Sequence, residues 1–133
     1  MLDFACAAIG AVSVPIYETD SMKQASSIVH EVHPSIAFGG DEAHTQTLEA
    51  IAEVEDVLTH VFNLSNGALE ALINLGEGVS DDALDEAIAR VRADDLLTIV
   101  YTSGSTGAPK GAKLSHRNFT HIVKNGYEVL PEM

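Results

Sequence analysis

The chain has 133 residues, the size of one domain, and 46% hydrophobic with 20% charged residues is a globular composition that can build a core. Seven Lys and Arg against twenty Asp and Glu give a formal charge of −13, which repels nucleic acid and anionic membrane surfaces and argues against both as partners. A single cysteine, Cys6, excludes an internal disulfide and reads as a small buried hydrophobe in a reducing compartment.

The uncharged, mostly apolar run from Phe4 to Tyr17 is 14 residues long, too short to span a bilayer, and Asp3 without a basic start argues against a signal peptide. A cytoplasmic chain with no transmembrane segment is expected. Leu2 to Ile9 predicts the end of an Ala-rich helix stopped at Gly10, and Ala11 to Tyr17 a buried strand with Pro15 near its exit. Ser21 with Gln24 forms a capping box, after which Met22, Ala25, Ile28, Val29 and Val32 recur at helical spacing until Pro34. His30 and His33 lie one turn apart at that helix end. Their order, His-Glu-Val-His, is not the His-Glu-x-x-His of a zinc helix, so solvated helix-end histidines are the better reading and no metal is expected there.

Ser35 to Phe38 predicts a short strand closed by Gly39-Gly40, and Asp41 caps a helix with Leu48, Ile51 and Ala52 on its apolar face. Val57 to Leu64 is the next strand. Alternation of strands and helices implies an α/β fold, a mostly parallel sheet with flanking helices. A short helix to Leu75 and a Gly76-Glu77-Gly78 turn follow, then a helix from Ser80 with Leu84, Ile88 and Val91 on one side. Asp81-Asp82 reads as a helix first turn and Asp94-Asp95 as a turn. Leu96 to Tyr101 is a strand, Lys113 to Ser115 its return, and Phe119, Ile122, Val123, Tyr127 and Leu130 repeat at helical spacing.

Between the last two strands lies the segment richest in chemistry. Gly104, Gly107 and Gly111 permit backbone angles closed to other residues, so consecutive N–H groups can turn toward one anion. Thr102, Ser103, Ser105 and Thr106 add hydroxyl donors and Lys110 a mobile positive charge, with Lys113 and Arg117 close in sequence: three of the seven basic residues. This is a phosphate cradle at a strand-loop-strand turn. Gly107 and Lys110 are separated by Ala108-Pro109, which excludes the Gly-Lys-[Ser/Thr] P-loop. A Ser/Gly linker would have no reason to follow an apolar strand or to end on Pro-Lys-Gly. His116 and His121 read as helix-start and helix-face residues.

Thr102 to Gly111 meets all ten positions of Thr-Ser-Gly-[Ser/Thr]-Thr-Gly-x-Pro-Lys-Gly and so resembles the signature of the adenylate-forming (AMP-binding) superfamily of acyl-CoA synthetases, luciferases and peptide-synthetase adenylation domains. Upstream, Ala8 to Ile16 resembles the helix-turn-strand motif that precedes the loop in that superfamily, and Pro15-Ile16-Tyr17-Glu18-Thr19 looks like long-chain fatty acid–CoA ligases.

The resemblance implies that residues 1–133 are a single partial domain, a segment of the large N-terminal domain of an acyl-CoA synthetase-like fold. The implied parent activates a fatty acid with MgATP to an acyl-adenylate and pyrophosphate, then transfers the acyl group to CoA. Thr102, Ser103, Gly104, Ser105, Thr106, Gly107 and Lys110 would bind the ATP phosphates. The later Tyr-Gly-x-Thr-Glu motif, the ribose-binding aspartate, the hinge and the C-terminal catalytic lysine are not in this sequence, so no catalytic residue is assigned and the isolated chain is expected to be inactive. A ligase for another carboxylic acid, or a noncatalytic nucleotide-binding or interaction remnant, are the alternatives. Self-association of the chain and peripheral membrane association of the parent are left open.

Overall fold

The computed structural model describes residues 2–102 and 109–129, which group into two compact units, Ile16–Gly78 and Met1–Pro15 with Val79–Met133. No helix among the described residues is long and apolar enough to cross a membrane.

In the Ile16–Gly78 unit, helix α2 (Met22–Val32) starts at the expected capping box: Gln24 N–H donates to Ser21 Oγ (3.3 Å) and Ser21 N–H to Gln24 Oε1 (2.9 Å). It buries Ala25, Ile28 and Val29 and ends on His33, whose left-handed backbone (φ 48°) sends its N–H back to Val29 O before Pro34. Strand β1 (Ile36–Gly39) leads into α3 (Glu42–Ala52), capped by Asp41, which accepts from His44 N–H at 2.9 Å. Strand β2 (His60–Asn63) then pairs parallel to β1, from Ile36↔His60 to Gly39↔Asn63. Ala25, Val29 and Ile51 form the core, with Ile16, Val57 and Leu58 packed against it.

Two features tighten this strand-helix-strand unit. Phe38 and Phe62 stack across the sheet with ring centroids 5.5 Å apart. Gly39 lies so close to α3 that a Cβ there would fall 2.5 Å from Thr45 N and 2.7 Å from Thr45 Cα. The expected strand from Val57 is shorter than anticipated. Val57 N–H turns back to Glu55 O, and Val57 and Leu58 fill the core from a turn, so pairing begins only at His60. Gly67, at φ 73°, opens α4 (Ala68–Gly76), which leaves Leu69, Ile73 and Leu75 exposed.

In the other unit, α1 (Leu2–Ile9) ends in a Schellman turn: Gly10 sits at φ 75°, Ala11 N–H reaches Cys6 O and Gly10 N–H reaches Ala7 O. The buried strand expected over Ala11 to Tyr17 does not form. Only Ser13 pairs, in parallel with Thr98, through Ser13 N–H to Leu97 O (3.2 Å) and Ile99 N–H to Ser13 O (3.1 Å). A parallel ladder would next need the N–H of residue 15, and Pro15 has none. Cys6 is half-buried rather than buried.

Helix α5 (Asp81–Arg90) is capped by Ser80, whose Oγ accepts from Ala83 N–H. Strands β3 (Leu96–Thr102) and β4 (Lys110–Ser115) pair antiparallel, and α6 (His116–Val129) follows directly. The mostly parallel sheet is thus corrected to two two-stranded sheets, β1-β2 parallel and β3-β4 antiparallel, among the described residues.

Candidate functional site

The β3-β4 hairpin carries the site. Its register pairs Thr102 with Lys110, Tyr101 with Gly111, Val100 with Ala112 and Ile99 with Lys113. Of the seven residues expected to cradle phosphate, the hairpin sets Thr102 and Lys110 opposite one another at its far end, both exposed. Ser103, Gly104, Ser105, Thr106 and Gly107 lie outside the described residues.

Alternation along the strands sorts the basic residues. Thr98, Val100 and Thr102 share one face with Lys110, Ala112 and Leu114. Ile99 and Tyr101 share the other with Gly111 and Lys113, as the closeness of Ile99 and Tyr101 to the place a Gly111 Cβ would take confirms. Lys113 is therefore on the opposite face from Lys110. Arg117, at the other end of β4, forks onto Asp94, with Nε donating to Oδ1 at 2.6 Å and Nη2 to Oδ2 at 2.8 Å. The bidentate pair holds the Asp94 carboxyl below its ordinary range and the Arg117 guanidinium above its own. The three basic residues close in sequence are thus parted by the fold, and Lys110 is left beside Thr102 with no ion-pair partner among the described residues.

Gly111 also has a different task from the one expected. It is regular strand without a positive φ, so its need is space: a Cβ would lie 2.8 Å from Ile99 Cγ2 and 3.1 Å from Tyr101 Cζ. Tyr101 is only 4% exposed, its ring seated over that glycine.

The base of the hairpin is tied by contacts that spacing alone did not point to. Ser115 and Asn118 form a reciprocal cap: Ser115 N–H donates to Asn118 Oδ1 (2.9 Å) and Asn118 N–H to Ser115 Oγ (3.4 Å). The Ser-x-x-Asn spacing was the available signal. His116 N–H bonds Asp95 O and Arg117 N–H bonds Ala93 O, while Arg92 N–H bonds Asp95 Oδ2 at 2.7 Å. Asp94 and Asp95 thus brace the turn into β3. His116 starts α6 with its Nε2 buried and unpartnered among the described residues, and His121 Nε2 accepts from Asn125 Nδ2 at 3.0 Å.

Elsewhere the chemistry is quiet. His30 Nδ1 lies 3.0 Å from Glu55 Oε2, and that hydrogen bond raises the imidazole above its ordinary range. Burial, then the charge of Asp3, pushes the Cys6 thiol up, away from a reactive thiolate. A cleft of about 230 Å³ is lined by Ile9, Gly10, Ala87, Arg90, Val91 and Asp95. Asp95 precedes β3, so this cleft adjoins the end of the strand away from Thr102, and Arg90 is already paired with Glu86.

The AMP-binding enzyme family profile matches residues 1–131. The chain belongs to the AMP-binding enzyme family. As an AMP-binding enzyme segment it is 32% identical, over its whole length, to the long-chain-fatty-acid–CoA ligase FadD15 of Mycobacterium bovis, of which it covers 23%. It is 34% identical over 88% of its length to a carboxylic acid reductase of Segniliparus rugosus, covering 12% of that protein. The ATP-bound crystal structure of MatB from Rhodopseudomonas palustris shares its fold, with a TM-score of 0.63 at 24% identity over 98% of this chain and 24% of MatB. The AMP-binding segment thus spans less than a quarter of the first of these relatives. The family is adenylate-forming, its matched relatives include a long-chain-fatty-acid–CoA ligase and a carboxylic acid reductase, and its architecture is α/β.

Proposed function

We propose that this chain is the ATP phosphate-binding part of a long-chain fatty acid–CoA ligase, with Lys110 supplying charge to the phosphates and Thr102 a hydroxyl beside it. The observation that carries the reading is the Thr102↔Lys110 pair at the end of the hairpin, with Lys113 turned away and Arg117 held by Asp94. In such a reaction a carboxylate attacks the α-phosphate and pyrophosphate leaves. Donors on the outer phosphates orient the leaving group and offset its growing charge, which is positioning and electrostatics. Ser103, Gly104, Ser105, Thr106 and Gly107 complete the proposed cradle. Both compact units belong, on this reading, to one N-terminal domain of the parent.

The exposed Lys110 and Thr102 fit an anionic polyphosphate. The Mg²⁺ that the resemblance implies finds no group of three or more His, Cys, Asp or Glu side chains able to hold a metal among the described residues, and no step is routed through it. CoA is proposed for the parent because a matched relative is named as a CoA ligase. The reductase match favours a second reading, in which the parent activates a different carboxylic acid or passes its acyl group elsewhere. A cytoplasmic parent is part of the same proposal.

ATP–pyrophosphate exchange with a fatty acid is the test. The isolated chain is expected to show none, and robust turnover by it would overturn the view that further segments are required. In a full-length parent, Lys110→Ala should lower adenylation, and unchanged exchange there would remove the assigned role. A panel of carboxylic acids on that parent separates the two readings.

A further inference from the structure

We infer that Tyr101 and Gly111 are positioning residues for Lys110, the glycine serving as the seat of the tyrosine ring; this rests on the phosphate reading of Lys110 given above. Lys110 is exposed, so packing does not hold its side chain, and its placement depends on where β4 begins. That start is set one residue away. Tyr101↔Gly111 is the ladder pair next to Thr102↔Lys110, and Tyr101 is the one buried residue of its unit among those described.

A Cβ at position 111 would meet Ile99 Cγ2 at 2.8 Å, Tyr101 Cζ at 3.1 Å and Tyr101 Cε1 at 3.4 Å, where ordinary carbon contacts are about 3.5–4.0 Å. The ring and the isoleucine methyl must then give way, or β4 must lift from β3 by several tenths of an ångström at the residue next to Lys110. An exposed lysine reaching an anion from a lifted strand loses the alignment that makes its hydrogen bond and charge useful. A substitution at the neighbouring residue thereby acts through the lysine.

The probe is inorganic tripolyphosphate, titrated into the chain and followed by NMR at low temperature, with circular dichroism reporting folding. Lys110→Ala should weaken binding by about 3–10-fold, the scale of one solvent-exposed net hydrogen bond. Gly111→Ala, still folded, should weaken it by a similar factor, and the double substitution should be no worse than either alone. A purely structural glycine would lower stability yet leave the two effects on binding additive. Tyr101→Leu, which removes the ring and keeps apolar bulk, should reproduce the loss and serves if Gly111→Ala fails to fold. Gly40→Ala, in the other unit, should leave binding unchanged. No binding by the unsubstituted chain, or none lost in Lys110→Ala, overturns the phosphate reading and this inference with it. Loss in Lys110→Ala with no loss, or an additive loss, in Gly111→Ala and Tyr101→Leu overturns the positioning inference alone.

Discussion

Replacing Gly39 by alanine should unfold the strand-helix-strand unit far more readily than replacing its neighbour Gly40. The added Cβ at Gly39 would stand 2.5 Å from Thr45 N and 2.7 Å from Thr45 Cα, about 1 Å inside ordinary contact. Those are backbone atoms of α3, so no side-chain rotation relieves the conflict. The helix must back away from β1, carrying Leu48 and Ile51 out of their packing. Overpacking costs about 1–3 kcal/mol and this geometry belongs at the upper end, while the lost flexibility of the unfolded chain returns about 0.4–1 kcal/mol. A net loss of about 2 kcal/mol follows. At Gly40 nothing lies within 4 Å of the added Cβ and φ is not left-handed, so alanine there should be neutral or slightly stabilising. The two variants should therefore differ by about 2–3 kcal/mol, or about 1–1.5 M in urea midpoint for a slope near 2 kcal/mol/M. Urea unfolding followed by far-ultraviolet circular dichroism measures it. Midpoints that agree within about 0.25 M would refute the close-approach argument, as would rescue of Gly39→Ala by Thr45→Ala, which leaves both backbone atoms in place.

Other outcomes follow from the caps and ion pairs. Ser21→Ala removes the N-cap of α2 and should cost about 1 kcal/mol, read in the same urea assay. His30 is raised by its hydrogen bond to Glu55, and His44 by Glu18 O and then Asp41, so their contributions are full below the ordinary imidazole range and are lost as pH rises through the raised values. The chain should lose stability as pH rises above the ordinary imidazole range, and the His30→Gln, His44→Gln double variant should lose less. Asp94 is lowered by Arg117, so its contribution is present above the ordinary carboxylate range and lost as pH falls through the depressed value; Asp94→Asn should flatten the stability profile below pH ~4. Phe119, Ile122 and Val123 stand exposed along α6, and self-association of the chain through that face would give concentration-dependent sedimentation that Ile122→Ser diminishes.

Helices were legible because their ends carry local chemistry. Ser21 with Gln24, Asp41, Ser80 and Gly10 each satisfy or release backbone groups within a few residues, and each marks the helix end that the structure has. Strands were read less well, since pairing is decided by a partner far along the chain. The apolar run Ala11 to Tyr17 looked like a strand, yet Pro15 removes the donor its parallel partner needs, and Val57-Leu58 served the core from a turn. At the site, the pattern around Thr102 and Lys110 was visible in the sequence. The dispersal of Lys113 and Arg117 was not, because nearness in sequence does not reveal which face of a hairpin a residue takes or that Asp94 waits for the arginine. Gly111 was recognised as important for the wrong physical reason, backbone angle instead of room for a ring.

The bond from Thr98 Oγ1 to Ser13 O spans 85 positions of the chain. On a ribosome adding about 5–20 residues per second, Ser13 would wait roughly 4–17 s after its own synthesis for that partner to be made. The segment from Ile16 to Gly78, whose core contacts are all its own, is complete well before then. Synthesis itself therefore orders the two units: the βαβ unit can condense first, and the hairpin bearing Lys110 captures the N-terminal segment only after its own strand β3 has been made. A pause in translation between residues 78 and 98 would prolong the interval in which Ser13 lacks that sheet contact, making codon choice there a lever on yield.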